Sequence, residues 1–477
     1  MTPIRKAITA TLCAAAVYSL PVAAQTPSPV AAVEAQQDRT ERVAQQIWDW
    51  AELGYLELRS SGLLRSELRS EGFALREGVA GIPTAFIAEW GEGGPVIALL
   101  AEFDALPGIN QSAAAVREPV EGKGAAHACG HNLFGAGSLT AAIAIKEWLE
   151  ATGTPGRVRL YGTPAEEGGS GKVYMVRAGL FDDVDFTVDW HPDDENSTAA
   201  RTTLANRSAK FRFRGVSAHA AGAPERARSA LDGVEAMNMM VNMMREHTSM
   251  DTRIHYVITE GGAAPNVVPD FAEVFYYVRH SDADEVRALW ERLESTARGA
   301  AMGTGTTVDW EIIHGNNPKL VNETLQQALD TKLRELGGFT YTDAEKEWAS
   351  EISASLGDSA KPLDQVGEIQ PYDITLGYGS TDVGDVSWAT PTVSLRAATW
   401  VPGTSSHSWQ SAAASGHSIG AKGAQFAAKA MAVMAAELYL NPELRAAARA
   451  EFDASRGPDY VYESLLGDRD PPLDYRK

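Results

Sequence analysis

The stretch Val96-Ile-Ala-Leu-Leu-Ala-Glu-Phe-Asp104 decides the fold class, because an unbroken apolar run leads directly into acidic residues. A continuous apolar run of this length suits a strand that is buried on both faces of a parallel sheet. Glu102 and Asp104 then follow the carboxyl end of that strand. In α/β proteins this is the edge of the sheet where functional side chains gather.

The segments on either side of this run alternate between helical and strand patterns. We predict helices over 41–70, 135–149 and 410–440, and strands over 96–101, 158–162, 184–189 and 391–397. Such alternation indicates an α/β domain with polar residues at the strand ends. The strand ends carry Glu166-Glu167, His191 and His407.

A different order of elements interrupts this domain from about residue 204. The pattern there is βαββαβ, which is typical of a split-βαβ, ferredoxin-like unit. We therefore expect a small domain inserted into a larger one, with segment 345–373 as a polar surface insertion. The predicted ranges are 41–203 and 316–455 for the large domain, 204–315 for the insert and 456–477 for a C-terminal tail.

The first 24 residues have the pattern of a secretory signal peptide. Arg5 and Lys6 precede an apolar stretch that is too short to span a bilayer, and small residues follow at 22–24. We expect a periplasmic or secreted protein, with residues 25–40 as a solvated leader. The alternative is a buried or disordered N-terminal segment.

Charge and cysteine content narrow the class of protein further. The net charge of −21 becomes −23 once Arg5 and Lys6 are removed, and no basic stripe is present to attract phosphates. Nucleic acid is therefore not an expected partner. Loss of Cys13 with the signal leaves Cys129 as the one cysteine, so an intrachain disulfide is excluded. A single thiol in an oxidising compartment indicates burial or a metal.

The densest cluster of candidate ligands is His127-Ala-Cys-Gly-His131. In an extended segment Cys129 and His131 would share one face and reach one ion. Thiolate and imidazole suit zinc, and manganese becomes an alternative if carboxylates complete the set. The competing interpretation is a loop with incidental histidines.

Two adjacent carboxylates, Glu166 and Glu167, lie in Thr163-Pro-Ala-Glu-Glu-Gly-Gly169 after a predicted strand. One can bind a metal while the other takes a proton from a metal-bound water that attacks a polarised carbonyl. An isolated Glu-Glu pair is more often a solvated surface feature. The strand end and the glycine-rich exit favour the functional interpretation.

Two further histidines, His191 and His407, follow other predicted strands, although either alone is more often an ordinary polar residue. With Cys129, His131 and the Glu pair they provide enough ligands for two ions. His219 follows the first strand of the insert, in a turn where a plain surface histidine is an equally good interpretation.

With these motifs in order, the sequence resembles the di-metal peptidase and amidohydrolase family that contains aminoacylases, hippurate hydrolases, auxin-conjugate hydrolases and carboxypeptidase G. It is most similar to the p-aminobenzoyl-glutamate hydrolase branch. The motifs that carry the resemblance span nearly the whole chain after the signal: AEFDALPG (101–108), HACGHN (127–132), TPAEEGG (163–169), GVSAHAAGAPE (215–225), GGAAPNVVPD (261–270), GSTDVGDVSW (379–388) and GTSSHSWQ (403–410).

The resemblance implies two divalent ions per subunit, zinc or manganese, with Cys129 as the bridging ligand. The full ligand set that it implies is Cys129, His131, Glu167, His191 and His407. It implies that Glu166 is the general base, and that the fold is a metallopeptidase-like α/β domain with an inserted dimerisation (lid) domain.

The resemblance also implies roles for residues around the ligands. His219 would reach the partner protomer's site and stabilise the developing oxyanion, so a homodimer is expected, with a heteromer as the alternative. Asp104 and His127 are expected to orient the ligands. Asn266 and Arg279 are expected to meet the substrate's carboxylate, although Arg279 would serve equally well in a surface ion pair.

The activity implied is hydrolysis of N-acyl or N-aroyl amino acids such as p-aminobenzoyl-glutamate. A carboxypeptidase or dipeptidase on the same fold is the alternative, and an inactive ligand-binding dimer is an alternative of another class. Two departures from the wider family are Asn132, where many relatives have aspartate, and the export signal.

Overall fold

A computed structural model describes residues 27–476 of the 477-residue chain. The predicted signal peptide, residues 1–24, lies outside the described residues. The described chain contains two main sheets with separate apolar cores, one of seven strands and one of four. No helix within residues 27–476 is both long and apolar enough to cross a lipid bilayer.

The first part of the large α/β domain contains six helices and nine strands. The helices are α1 (Pro29–Glu34), α2 (Gln37–Trp50), α3 (Leu58–Ser70), α4 (His131–Thr152), α5 (Glu166–Gly169) and α6 (Gly171–Arg177). The strands are β1 (Ala74–Glu77), β2 (Phe86–Glu92), β3 (Val96–Ala101), β4 (Leu106–Pro107), β5 (Ala125–Ala126), β6 (Gly156–Gly162), β7 (Phe186–Asp193), β8 (Ser197–Thr198) and β9 (Arg201–Thr202).

The inserted unit has the βαββαβ order predicted from the sequence. Its elements are β10 (Ala205–Arg214), α7 (Ala230–Arg245), β11 (Arg253–Glu260), β12 (Phe271–His280), α8 (Ala283–Thr304) and β13 (Thr307–Asn316). The strand order is β11-β12-β10-β13 and every pairing is antiparallel. Apolar residues from both helices, including Met237 and Trp290, cover one face of this sheet.

The large domain then resumes with six helices and two strands. They are α9 (Glu323–Leu336), α10 (Asp343–Ser355), β14 (Thr375–Leu376), α11 (Val383–Ala389), β15 (Thr392–Ala398), α12 (Trp409–Ser415), α13 (Ser418–Leu440) and α14 (Pro442–Arg456). Strand β15 joins the seven-stranded sheet, whose order is β1-β2-β6-β3-β7-β15-β8.

The four central strands of that sheet, β6, β3, β7 and β15, run parallel, so their carboxyl ends meet at one edge. All six residues of β3 are buried, as the apolar run predicted. The long helices α4 and α13 pack against the sheet through alanine-rich faces. The α/β fold with an inserted small domain is therefore confirmed.

The expected leader and the expected polar insertion are both wrong in part. Residues 29–34 and 37–50 are helical, and Val33 is fully buried in the large core because apolar side chains recur along one helix face. Segment 345–373 begins inside α10, where Thr342 and Glu345 form a capping box and Ile352 is buried. Local capping and a short apolar stripe outweigh the polar composition in this segment.

The segment after α14 is not a free tail. Leu465 and Leu466 are buried, and the segment continues along the large domain as far as Arg476. Its contacts with the functional site are described below.

Candidate active site and metal centre

The parallel strands bring the predicted ligands to one edge of the large sheet. Asp104 follows β3, and Glu166 and Glu167 follow β6. His191 lies within β7 rather than after it, because this strand continues to Asp193 beside β15. His407 comes from the loop after β15 and has a left-handed backbone with a φ of 59°.

The segment from Cys129 to His131 is not extended as predicted. Gly130 has a φ of 75°, and helix α4 begins at His131. A Cβ atom at Gly130 would lie 2.7 Å from Cβ of Pro192, so only glycine fits both the backbone and the space. The turn still directs Cys129 and His131 into one cluster, so the prediction named the right residues for the wrong geometric reason.

Two groups of ligand atoms share the sulfur of Cys129. Cys129, His131 and His191 form one group, and Cys129, Glu167 and His407 form the other, with the ligand atoms of each group all within 4.8 Å of one another. The Sγ of Cys129 lies 3.5 Å from Nε2 of His191, and Nε2 of His407 lies 3.2 Å from Oε1 of Glu167. A ligand common to two groups has the placement expected of a bridge between two ions.

The donor atoms have the chemistry that divalent ions require. Nε2 of His131 and Oε1 of Glu167 are buried without a well-directed hydrogen bond, even though each lies near an ionisable partner. Burial alone would raise the pKa of the Cys129 thiol, but the charges of His191 and His131 lower it well below its usual range. A thiolate, imidazoles and a carboxylate together fit zinc or a similar divalent ion.

Asp104 orients two of these ligands. Nδ1 of His131 donates to Oδ1 of Asp104 at 2.9 Å, and the backbone N–H of Glu167 donates to its Oδ2 at 2.9 Å. Nε2 of His131 is thereby directed into the cluster, as expected when a carboxylate fixes the orientation of a ligating imidazole.

His127 is buried but does not touch the cluster. Its Nε2 lies 3.1 Å from the carbonyl oxygen of Ile47, and burial lowers its pKa to about 3. A neutral ring held by the backbone of α2 anchors the loop that carries Cys129. It does not contact a ligand in the way that Asp104 does.

Glu166 is placed to act as a base. Its carboxylate lies within 4.8 Å of ligand atoms of His131 and Glu102. Burial, followed by the negative charges of Glu102 and Glu167, raises its pKa well above the usual range for a carboxyl group. A carboxylate with a raised pKa takes up a proton more readily than an exposed one, which is the property that a general base needs.

A buried charge cluster behind Glu166 was not predicted. Nζ of Lys172 lies 2.6 Å from Oε1 of Glu102 and 2.6 Å from Oδ1 of Asp382, and all three side chains are buried. Burial opposes the charge on Lys172, but the two carboxylates raise its pKa above the usual range. The apolar run ending in Glu102 gave a signal for one member, whereas nothing in the sequence indicated that Lys172 and Asp382 meet.

A cavity of about 740 Å³ opens beside the cluster, between the large domain and the insert. This volume lies in the range of about 300–1,000 Å³ that is usual for small-molecule sites. Basic side chains line it from several elements: Arg201, Arg279, Lys319, Arg396 and Arg476. Arg279 was predicted, and it reaches the cavity from β12 with its side chain over the ring of Tyr277.

His219 and Asn266 are not at the site of their own chain. His219 is exposed on the insert, and its Nδ1 accepts hydrogen bonds from the N–H groups of Ala221 and Gly222. The backbone carbonyl of Asn266 accepts a hydrogen bond from Ala220 in the same loop region. Neither residue lines the cavity, and both belong to one exposed loop cluster of the insert.

Known proteins match this chain over most of its length. The family model of Peptidase family M20/M25/M40 matches residues 98–433. One of the two named subunits of the p-aminobenzoyl-glutamate hydrolase of Escherichia coli (strain K12) is 40% identical over 440 residues, covering 87% of this chain and 92% of that protein. The Xaa-Arg dipeptidase of Mus musculus is 30% identical over 430 residues, covering 87% and 89%.

A solved structure has a similar fold. It is the YXEP protein of Bacillus subtilis, described as a dinuclear metal binding peptidase from the M20 family. It matches with a TM-score of 0.54 at 19% identity, covering 84% of this chain and 99% of that one.

Proposed function

Because this chain belongs to Peptidase family M20/M25/M40, we propose that it is a two-metal amidohydrolase that cleaves N-acyl or N-aroyl amino acids. The observation that carries the proposal is the pair of ligand groups that share Cys129 beside Glu166. A site that only captured a ligand would have little use for a buried base at such a cluster.

The chain's own residues divide the work of hydrolysis. The ions would be held by Cys129, His131, Glu167, His191 and His407. When bound, they would supply Lewis acidity that polarises the scissile carbonyl and makes water easier to deprotonate. Glu166 would accept the proton of the attacking water and return it to the leaving amine. Asp104 would keep His131 and the Glu167 backbone in place throughout.

The choice of metal follows from the donor set. Thiolate and imidazole favour zinc, while the carboxylates at the same edge of the sheet keep manganese as the second candidate. Metal content of the purified protein, together with reactivation of the chelated protein by each ion, decides between them.

The substrate class follows from the charge of the cavity. An amino-acid product carries a carboxylate at the amide end, and Arg279 offers a planar guanidinium that suits it. The Escherichia coli relative is named for p-aminobenzoyl-glutamate, an N-aroyl amino acid, which makes that compound the first to test. The mouse relative is named a Xaa-Arg dipeptidase, so dipeptides belong in the same panel.

The test is amine release from p-aminobenzoyl-glutamate, hippurate, an acetyl-amino acid and a Xaa-Arg dipeptide by protein that is chelated and then refilled with zinc or manganese. We expect release from the acyl and aroyl amino acids only after refilling. Release from the dipeptide alone would contradict the proposed substrate class. No release from any compound by protein that binds metal tightly would support a ligand-binding dimer instead.

We propose that the insert forms a homodimer interface. Strand β11 is the edge of the four-stranded sheet and is mostly exposed. Beside it, α7 exposes Met239, Met240 and Met243, and Ile258 of β11 is 41% exposed. An unpaired strand edge next to an apolar helix face suits a second copy of the same surface. A companion chain is the second candidate, because the Escherichia coli relative is named as one subunit of its enzyme.

We also propose that the protein is exported. The charged, apolar and small-residue segments of residues 1–24 and the single cysteine that follows them support this location. N-terminal sequencing of periplasmic protein from a Gram-negative expression host tests it, with a start near residue 25 as the expected result. Full-length protein in the cytoplasm would contradict it.

A further inference from the structure

The segment after α14 is held along a defined path toward the cavity. Tyr462 donates to Asp385 at 2.7 Å, and Arg177 donates to the carbonyl oxygens of Gly467 and Arg469 at 2.6 and 2.7 Å. Arg469 in turn pairs with Glu311 of the insert at 3.1 Å. The segment is therefore attached to both the large domain and the insert.

This path leads to the ligand Glu167. The hydroxyl of Tyr475 and Nη2 of Arg476 both donate to the carbonyl oxygen of Glu167, at 3.2 and 2.5 Å. Tyr475 also packs edge-on against Tyr55, with ring centroids 5.6 Å apart. These contacts fix the backbone beside Arg476, and its side chain lines the cavity together with Arg279.

The charges of Arg279 and Arg476 are not neutralised within the described part of the chain. Arg201 and Arg396 line the same cavity but form ion pairs with Glu195 and Asp193. Neither Arg279 nor Arg476 has such a pair between residues 27 and 476, and Nε of each is buried without a hydrogen-bond partner. Two buried, unpaired guanidinium groups in one cavity need anions to complete them.

We propose that Arg476 is a substrate-binding residue that selects amino acids with a second carboxylate. This inference rests on the proposed function. Arg279 would bind the carboxylate next to the amide, and Arg476 would bind the side-chain carboxylate of an N-acyl glutamate or aspartate. A cationic side chain, such as that of a Xaa-Arg dipeptide, would meet two like charges instead.

The reason for selectivity is the state that a neutral substrate leaves behind. A side-chain amide in place of the carboxylate would leave the buried donors of Arg476 without a charged acceptor, and such sites reject analogues that lack the expected partner. Charged hydrogen bonds of this kind correspond to a preference of about ten- to a hundredfold.

The test compares N-benzoyl-glutamate with N-benzoyl-glutamine, which differ only in the side-chain carboxylate. Binding is measured by calorimetry with the metal-loaded E166Q protein, and kcat/KM is measured with the active enzyme. We expect R476Q to weaken N-benzoyl-glutamate about ten- to a hundredfold while N-benzoyl-glutamine changes less than about threefold. R476K, which keeps the charge, should retain part of the preference.

Two variants separate recognition from support of Glu167. Y475F removes a hydrogen bond to the same carbonyl oxygen but no charge, and R298Q removes a charge from the exposed face of α8. Both should keep the parental preference for the glutamate compound. Equal weakening of both compounds in R476Q, or no weakening, would overturn the inference. A parent protein that neither binds nor hydrolyses either compound would overturn the proposed function itself, and the inference with it.

Discussion

The ligand cluster of the large domain and the exposed loops of the insert differ in how complete they are within one chain. Cys129 is 7% exposed, and its partners arrive from four strand ends and the start of α4. His219 and Asn266 are exposed on loops that approach no other part of the site. The first region is built by the topology of a single chain, whereas the second region gains a catalytic role only if another protomer supplies the missing surroundings.

The largest expected effect is on the base of the complete region. E166Q should lower kcat by about 10²–10⁴-fold, because an amide cannot accept the proton of water. The metal content should not change, since Glu166 is not among the proposed ligands. E92Q, at an exposed position on β2, serves as the control and should keep parental turnover. Parental turnover in E166Q would show that the base is another residue.

His219 gives the sharpest comparison between the regions. H219A should lower kcat about 10²–10³-fold, by loss of one oxyanion donor, without lowering the melting temperature of an exposed loop position. Mixing the inactive H219A and E166Q proteins under subunit exchange should restore about a quarter of the parental activity, since half the dimers are mixed and each has one intact site. If mixing restores nothing, His219 does not act across the interface.

The exposed apolar surface of the insert can be broken separately. M243R places a charge on α7 next to the edge strand β11, and should convert the dimer into a monomer with turnover reduced on the order of tenfold or more. Met243 is 62% exposed, so the free energy of unfolding of the monomer should change little. M250R, at a 93% exposed residue before β11, is the control. Sedimentation velocity distinguishes the two, and a dimeric M243R would place the interface elsewhere.

The smallest effect concerns the backbone of the complete region. G130A requires a left-handed alanine and also brings its Cβ to 2.7 Å from Pro192. G122A has a similar φ of 79° but nothing within 4 Å, so it reports the backbone term alone. We expect G130A to lower the free energy of unfolding by about 1–3 kcal/mol more than G122A, from the close contact. Equal losses in thermal or urea unfolding would show that the turn adjusts freely.

The sequence predicted the elements whose patterns are local. The apolar run at Val96–Ala101 and the βαββαβ order of 204–315 lie within a few residues of the observed strands and helices. The ligand residues could be named because histidine, cysteine and glutamate stood at strand ends, where a parallel sheet gathers side chains. Their grouping around Cys129 depends on the fold, and it could be stated beforehand only through the resemblance.

Other features depend on contacts between distant segments and gave no local signal. Lys172 and Asp382 are 210 residues apart, yet they form a buried ion pair. Arg476 reaches Glu167 across 309 positions, and its segment was predicted to be a tail. The helix at Pro29–Glu34 was hidden by the polar, proline-containing composition around it, although Val33 packs in the core. Pairing over such separations is set by tertiary packing, which composition does not reveal.

The central claim is that Cys129 is shared by two metal ions. The direct measurement is metal content per chain by mass spectrometry, on the parent protein and on C129A, H191A and H407A after dialysis against limiting zinc. We predict two ions for the parent, one for each histidine variant and fewer than one for C129A, because only the cysteine belongs to both ligand groups. A C129A protein that keeps two ions with parental affinity would contradict the account.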